Sequence, residues 1–226
     1  MSINGRKIIL GSGSPRRKQL LSELIAGVDV RVKDVKEDFP DELKAGEIPL
    51  FLAGQKANAF NGELRENEIL ITADTIVWFD QHVLNKPADS DEALVMLKKL
   101  SGNSHQVFTG VCISTTETRK FFTVESKVRF VKSGENDLLD YIKQYKPFDK
   151  AGAYGAQECL PEDMNPLSDA EKIFLTQRGK PGLFENTLAV KAHARVPLIE
   201  KVEGSYFNVM GLPLVELFDA LREFNF

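Results

Sequence analysis

Hydrophobic and polar positions along the chain follow a helical period in some segments and a strand period in others. Residues 69–79 are rich in β-branched and aromatic side chains, which predicts a long strand. Between Asp89, a capping residue, and Gly102, apolar positions repeat at helical spacing, which predicts a helix. The same signs predict further strands at 7–11, 28–32, 106–115, 119–130 and 198–202, and helices that begin near Pro15, Pro49, Ser133, Ser168 and Pro213. Ser14 should cap the first of these helices, Ser168-Asp-Ala-Glu171 is a capping box, and 204–211 should form a turn.

The order of these segments predicts the fold class. Because strands and helices interleave, we expect an α/β fold with a twisted central sheet and flanking helices. The strands at 106–115 and 119–130 follow each other closely and predict an antiparallel hairpin, and 83–86 is placed to form a second hairpin with 69–79. The sheet should therefore be mixed rather than purely parallel.

Composition narrows the class of protein. The chain has 226 residues, which suits one domain or two lobes that share a core. Lys and Arg total 29 against 33 Asp and Glu, a net charge of −4, so we expect no nucleic-acid partner. The apolar runs are far shorter than the ~20 residues that cross a bilayer, so we expect no membrane partner. Nothing at the N-terminus directs export, which predicts a cytoplasmic protein.

The distribution of cysteine and histidine excludes two kinds of metal site. Neither Cys112 nor Cys159 belongs to a CxxC pair, and the three histidines lack HExxH spacing. A metal, if the protein uses one, should therefore be held by carboxylates. His105 lies near the start of a predicted strand, and we assign it no role in the chemistry.

A glycine turn between the first strand and the first helix is a candidate phosphate site. The segment Gly11-Ser-Gly-Ser-Pro-Arg-Arg17 exposes backbone N–H groups where the helix dipole favours an anion. Arg16 and Arg17 add guanidinium groups that suit phosphate oxygens. Neither GxxxxGK[ST] nor GxGxxG is present, which excludes the P-loop and Rossmann motifs. A simple turn is the alternative, and the two arginines favour phosphate.

Asp74 stands inside an otherwise apolar predicted strand. A buried carboxylate is costly there unless a cation, a proton or hydrogen bonds compensate it. If 69–79 and 83–86 pair as a hairpin, Lys86 approaches Asp74. The two side chains then form either a structural salt bridge, or a metal-binding carboxylate or general base beside a lysine that neutralises phosphate.

Three further residues are weaker candidates. Glu37 lies in an acidic loop and Lys56 on a predicted helix, and such side chains are commonly just solvated. Gln157 follows two glycines, and its amide both donates and accepts hydrogen bonds, which suits the edge of a nucleotide base. The alternative for Gln157 is a polar loop residue.

Several segments, in the same order along the chain, resemble the motifs of the Maf family of nucleoside triphosphate pyrophosphatases. The similarity spans residues 7–157 and 198–218. The motifs are Gly11-Ser-Gly-Ser-Pro-Arg-Arg17, Leu52-Ala-Gly-Gln-Lys-Ala57, Ala73-Asp-Thr-Ile-Val77, Asn85-Lys-Pro87, Ala93 to Leu100, Leu100-Ser-Gly-Asn-Ser-His-Gln-Val-Phe-Thr-Gly-Val111, Asp149-Lys-Ala-Gly-Ala-Tyr-Gly-Ala-Gln157 and Gly204-Ser-Tyr-Phe-Asn-Val-Met-Gly-Leu-Pro213.

The resemblance implies a Maf/ITPase-like fold with two lobes around a nucleotide cleft. It implies hydrolysis of a nucleoside triphosphate to the monophosphate and pyrophosphate, by attack of water at the α-phosphorus. A divalent cation, Mg²⁺ or Mn²⁺, is expected, with Asp74 and Glu37 as its ligands. Asp74 matches the family's proton acceptor, although Glu37 could share the metal and the water with it.

The resemblance also distributes roles among the candidate residues. The positions matching catalytic residues are Asp74, Lys86, Lys56 and Glu37, and those matching phosphate-binding residues are Ser12 and Arg17. Positions tied to base choice match Arg16, Thr75 and Gln157. This last set resembles the dTTP/UTP branch rather than the 7-methyl-GTP branch, with modified pyrimidine nucleotides as a further substrate class.

Two other functions stay open at this point. One is a nucleotide-binding regulator of cell division or septum formation with little turnover, against which the matching catalytic residues argue. The other is a Maf enzyme with a different base preference. A panel of nucleotides distinguishes all three.

The chain departs from the family pattern after Gln157. We expect one Maf-like domain over 1–226, with 158–197 as an insertion, because 46 residues separate Gln157 from Gly204. Long loops are often functional. The insertion is therefore a candidate lid, specificity element or oligomer interface, which would give a homodimer, and a surface decoration is the alternative.

Overall fold

The computed structural model of the chain describes residues 5–185 and 196–224. Helices and strands interleave as the pattern predicted. The strands are Lys7–Leu10 (β1), Asp29–Val30 (β2), Glu68–Phe79 (β3), His82–Leu84 (β4), Ser104–Ser114 (β5), Arg119–Phe130 (β6) and Ile199–Gly204 (β7). The helices are Pro15–Leu24 (α1), Glu47–Asn58 (α2), Ser90–Leu100 (α3), Glu135–Tyr145 (α4), Ala156–Cys159 (α5), Asp169–Gln177 (α6), Tyr206–Val209 (α7) and Leu214–Arg222 (α8).

The strands form a mixed sheet in the order β2-β1-β3-β5-β6-β7, with β4 paired to β3. β1 runs parallel to both of its neighbours, and its register places Ile9 opposite Leu70. β3 and β4 are antiparallel, with Trp78 opposite Val83, and β6 and β7 are also antiparallel. The predicted α/β class and the predicted hairpin after β3 are therefore confirmed.

Three elements differ from the expected pattern. β2 covers only Asp29–Val30 because β1, its partner, ends at Leu10, where the chain turns towards α1. α2 begins at Glu47, ahead of Pro49, because proline is tolerated in the first turn of a helix. The expected turn at 204–211 contains the one-turn helix α7, whose first N–H groups find acceptors in neighbouring side chains.

The described residues divide into two compact units. The first comprises 5–75, 108–124 and 211–224, and the second 76–107, 125–185 and 196–210. No helix in these ranges is long and apolar enough to cross a membrane. The description of 1–226 as one domain with an insertion at 158–197 stays a prediction, and residues 186–195 of that segment lie outside the described ranges.

In the first unit, close backbone packing places α2 against the sheet. A Cβ atom on Gly110 of β5 would lie 2.3 Å from the backbone of Pro49 and Leu50, so only glycine permits this approach. The Thr72 hydroxyl on β3 donates a hydrogen bond of 2.8 Å to the Ala53 carbonyl of α2. The apolar side chains that fill the interface are Ile9, Ala53, Ala57, Phe60, Leu70 and Cys112.

In the second unit, the rings of Phe130 and Tyr154 pack edge to face against a buried histidine. The ring centroid of His105 lies 5.1 Å from that of Phe130 and 5.3 Å from that of Tyr154. His105 Nε2 hydrogen-bonds the Tyr154 hydroxyl at 2.7 Å, while its buried Nδ1 has no partner. Burial lowers the pKa of His105 to about 3, so this ring is neutral in the folded protein.

A buried carboxylate joins α6 to α7. Glu171 is 1% exposed. Its Oε2 accepts hydrogen bonds from the Ser168 N–H at 2.8 Å and the Ser168 hydroxyl at 2.9 Å, which completes the capping box predicted at this helix start. Its Oε1 accepts from the Ser205 hydroxyl and the Phe207 N–H, both at 2.8 Å. One carboxylate therefore satisfies donors at the starts of two helices.

Replacing Glu171 with Gln should lower the free energy of unfolding by about 2–4 kcal/mol, because the amide loses the charge and turns an NH₂ group towards N–H donors. Denaturant titration followed by circular dichroism measures the change. Asp169→Asn removes the same charge from the same helix turn, but the Asp169 side chain is 95% exposed. This control should lose less than about 0.5 kcal/mol, and equal losses in the two variants would contradict the shared-cap assignment.

His105 should make stability depend on pH. The unfolded chain binds a proton near the ordinary pKa of 6.5, whereas folded His105 does so only near 3. Stability should therefore fall as pH drops through this window, by up to about 1.4 kcal/mol per pH unit. His105→Gln should flatten the measured slope of unfolding free energy against pH, while His82→Gln, at an exposed histidine, should not. An unchanged slope in His105→Gln would show that the buried ring is not its source.

Candidate active site

Three charged side chains of the first unit meet beside the middle of β3. The Lys56 ammonium, in the last turn of α2, lies 2.7 Å from Glu37 Oε1 and also donates a hydrogen bond to Asp74 Oδ1. Asp74 is 8% exposed, whereas the Glu37 side chain is 43% exposed. The structure thus brings together three of the residues that the sequence predicted, including two of the three weaker candidates.

The periodicities of a strand and a helix explain this meeting. Thr72 and Asp74 are two residues apart on β3, so their side chains point to the same face of the sheet. Ala53 and Lys56 are three residues apart on α2 and share one helix face. The Thr72 hydroxyl binds the Ala53 carbonyl, and this contact aligns β3 with α2. The next residues on these two faces are Asp74 and Lys56, and they therefore lie within hydrogen-bonding distance.

The donor set of this cluster suits a hard divalent cation. Two carboxylates, those of Asp74 and Glu37, converge on the single ammonium of Lys56. Mg²⁺ is commonly held by one or two carboxylates, with water and substrate phosphates as the other ligands. The described ranges contain no group of three or more His, Cys, Asp or Glu side chains arranged to hold a metal, so further ligands here would be such oxygens.

On the other side of Asp74, a buried guanidinium binds three stretches of chain. Arg17, on α1, is 9% exposed. Its Nε donates to the Gly211 carbonyl at 2.7 Å and its NH1 to the Ala73 carbonyl at 2.9 Å. NH2 donates to the Thr75 hydroxyl at 2.9 Å. Burial lowers the pKa of Arg17, and the Asp74 carboxylate opposes that shift.

Two residues of this network lay outside the sequence-based set of site residues. The Thr109 hydroxyl of β5 hydrogen-bonds the Thr75 hydroxyl at 2.9 Å and is fully buried. Gly211 has φ of +102°, and a Cβ there would lie 3.3 Å from Thr75 Oγ1 and 3.4 Å from Arg17 Nε. Both residues lie in motifs of the resemblance, Gly211 in 204–213 and Thr109 in 100–111, but neither motif indicated a contact with Thr75.

The glycine turn carries the remaining predicted residues of the first unit. The Ser12 hydroxyl accepts hydrogen bonds from the Ser14 N–H at 3.2 Å and from Arg17 NH1 at 3.3 Å. Ser14 caps α1 as predicted, with its hydroxyl accepting from the Arg17 N–H at 3.4 Å. Arg16 is partly exposed in the first turn of α1. The turn therefore has the helix N-terminus that anion binding requires.

Lys86 and Gln157 belong to the second unit. Lys86 is exposed, two residues beyond β4, and Gln157 is the second residue of α5. The Gly152 N–H donates to the Asn85 carbonyl at 3.2 Å, which places the 149–157 motif beside the Asn85-Lys86-Pro87 motif. The β3–β4 hairpin is present, and the approach of Lys86 to Asp74 that it suggested stays a prediction.

Comparison with known proteins places the chain in a family. The sequence profile described as Maf-like protein matches residues 7–162 and 163–224. The chain belongs to the Maf family. The dTTP/UTP pyrophosphatase of Flavobacterium johnsoniae is 42% identical over 215 residues, 95% of this chain and 93% of its own. That of Bacteroides fragilis strain YCH46 is 42% identical over 96% of this chain and 95% of its own.

Among solved structures, the Staphylococcus aureus Ham1 protein matches 81% of this chain and 98% of its own, with 14% identity and a TM-score of 0.40. The family assignment therefore rests on the sequence comparisons.

Arg17 is the clearest case in which the contacts refine a predicted role. The resemblance assigned it to phosphate, yet its Nε, NH1 and NH2 atoms all donate to acceptors within the chain. Phosphate binding by Arg17 stays a prediction. The contacts add a second role for Arg17, which is to position Ser12, Thr75 and Gly211.

Replacing Arg17 with Lys should destabilise this Maf protein by about 3 kcal/mol, because one ammonium cannot reach acceptors on three separate stretches and leaves buried carbonyls without donors. Thermal and denaturant unfolding measure the loss. Arg222→Lys on α8 is the control, since its ion pair with Asp219 is solvent-exposed and should change stability by less than about 0.5 kcal/mol. Wild-type stability in Arg17→Lys would contradict the positioning role.

Proposed function

We propose that this Maf chain is a nucleoside triphosphate pyrophosphatase that hydrolyses dTTP and UTP to the monophosphate and pyrophosphate. The observation that carries the proposal is the Lys56 ammonium held between Asp74 and Glu37 in the first unit, whose glycine turn presents N–H groups at the start of α1. The name dTTP/UTP pyrophosphatase, carried by relatives that match nearly the whole chain, supports the choice of substrate.

In the proposed reaction, Asp74 takes the proton of the attacking water. The water oxygen forms a bond to the α-phosphorus, and the bond from that phosphorus to the bridging oxygen of the β-phosphate breaks. Pyrophosphate leaves with the electron pair. Lys56 orients the Asp74 carboxylate through its hydrogen bond to Oδ1, and Glu37 is the alternative proton acceptor because it shares the same ammonium.

The remaining residues of the proposal stabilise charge on the triphosphate. Ser12 and the amides of its turn bind phosphate oxygens at the start of α1, while Lys56 and Lys86 offset negative charge on the leaving group. Mg²⁺ or Mn²⁺, held by Asp74 and Glu37, would supply further charge neutralisation when bound.

Base choice is assigned to Arg16, Thr75 and Gln157. The Gln157 amide offers a donor and an acceptor, which in one orientation match the O4 and N3–H of uracil and thymine. The flipped amide matches the inverted pattern of cytosine, so neighbouring residues must fix the orientation of Gln157. The Thr75 hydroxyl is hydrogen-bonded to Arg17 and to Thr109. These bonds support a Thr75 side chain with one fixed orientation. A cytoplasmic location and a homodimer stay predictions.

A substrate panel tests the proposal. Pyrophosphate release from dTTP, UTP, CTP, dATP, GTP and 7-methyl-GTP, with Mg²⁺ or Mn²⁺, should be fastest for dTTP and UTP. Asp74→Asn should lower kcat for both by at least about 100-fold while calorimetry still detects nucleotide binding, because only the proton acceptor and one cation ligand are changed.

Asp219→Asn is the matched control, since this carboxylate lies on the surface of α8 with its side chain 64% exposed, and its turnover should equal that of the wild type. Tight dTTP binding without turnover in the wild-type protein would replace the proposal with a nucleotide-binding regulator. Preferred turnover of another base would retain the chemistry and overturn the roles of Arg16, Thr75 and Gln157.

A further inference from the structure

The helix turn that carries Gln157 is fixed by side chains that the proposed chemistry does not use. Gln157 is the second residue of α5, which has only four residues, Ala156–Cys159. So short a helix has little intrinsic stability. Contacts that the other residues of α5 make in the second unit therefore help to set the direction in which the helix presents Gln157.

The hydroxyl of Tyr141 makes the central contact. Tyr141, on α4, is fully buried, and its hydroxyl accepts a hydrogen bond from the Gly155 N–H at 2.9 Å. The same hydroxyl donates to Glu158 Oε2, also at 2.9 Å. Because Gly155 is the N-cap of α5 and Glu158 lies in its only turn, one hydroxyl spans the start of this helix. Burial raises the pKa of Tyr141 well above its ordinary value, so the hydroxyl keeps its proton.

The Glu158 side chain is folded back over the N-cap. A Cβ atom at Gly155 would lie 2.1 Å from Glu158 Oε2, so the carboxylate occupies the space that any other side chain would need. Lys150 Nζ lies 3.9 Å from Glu158 Oε1 and keeps the carboxylate beside a positive charge. The backbone of α5 is also tied at its end, where the Val196 N–H donates to the Glu158 carbonyl at 2.8 Å.

We propose that Tyr141 is a positioning residue for base discrimination, holding Gly155 and Glu158 so that Gln157 meets the pyrimidine ring in one orientation. This inference rests on the proposed function, in which Gln157 reads the base. A glutamine amide that is free to turn accepts the uracil and cytosine patterns equally well. The contacts of Tyr141 supply the constraint on α5 that the amide alone lacks. Tyr141 acts through α5 and does not itself touch substrate.

The test compares two tyrosines on one helix. Tyr145 is one turn after Tyr141 on α4, with the ring centroids 5.1 Å apart, and its buried hydroxyl makes no hydrogen bond to the α5 turn. Tyr141→Phe and Tyr145→Phe each remove one buried oxygen from neighbouring rings. The measured quantity is kcat/KM for UTP divided by kcat/KM for CTP, which does not depend on how much of each preparation is folded.

Tyr141→Phe should lower this ratio by about three- to tenfold, the range expected for one or two hydrogen bonds. The change should lie mainly in KM for UTP, with kcat within about twofold of wild type, since the phosphate site is unchanged. Tyr145→Phe should keep the wild-type ratio. Gly155→Ala, which displaces the Glu158 carboxylate, should lower the ratio as Tyr141→Phe does, and it decides the matter if Tyr141→Phe does not fold.

A wild-type ratio in both Tyr141→Phe and Gly155→Ala would overturn the inference and leave the proposed function intact. An equal fall in both tyrosine variants would also overturn it, because packing rather than the hydrogen bonds would then be responsible. If the wild-type protein itself hydrolysed UTP and CTP equally, the proposed base preference would fail and the inference with it.

Discussion

Arg17 places a permanent positive charge inside the first unit, and its surroundings must satisfy that charge. Desolvating a guanidinium costs several kcal/mol unless acceptors surround it. Its acceptors come from three stretches of the chain. They are Ser12 in the glycine turn, Ala73 and Thr75 on β3, and Gly211, which follows α7. These stretches can only take positions that keep the hydrogen bonds. Asp74 lies between two of the acceptors on β3, so the same constraint fixes the backbone of the carboxylate assigned to catalysis.

The two sides of β3 divide the work of this unit. One side is tied to α1 by uncharged acceptors around Arg17, which leave the net positive charge in place. The other side faces α2, where Asp74 and Glu37 outnumber Lys56 and leave a net negative charge. In the proposed function, a nucleoside triphosphate with a divalent cation would need both kinds of charge, one for phosphate oxygens and one for the metal. Because side chains alternate in direction along a strand, three successive residues of β3 can contact both groups.

In the second unit, carboxylates accept hydrogen bonds at the starts of helices. Glu171 joins the starts of α6 and α7, and Glu158 folds over the start of α5 under the Tyr141 hydroxyl. Glu171 lies within 158–197, the predicted insertion. Its carboxylate accepts hydrogen bonds from Ser205, Tyr206 and Phe207, which belong to the family motif at 204–213. This part of the segment is therefore packed into the unit. The Glu171 carboxylate of this capping box accepts hydrogen bonds at the starts of two helices, whereas the sequence pattern predicted only the one at α6.

Sequence alone determined the α/β class, the β3–β4 hairpin, most element boundaries and the Maf resemblance, because hydrophobic period, caps and local motifs act over a few neighbouring residues. It also singled out Asp74, since a carboxylate in an apolar strand is a local anomaly. Only the tertiary structure decided that Lys56 bridges Asp74 and Glu37, that Arg17 is buried among acceptors of the chain, that Thr109 binds Thr75, and that Tyr141 binds Glu158. Those contacts join residues far apart in the chain, and their register depends on how helices pack on the sheet, which no local pattern records.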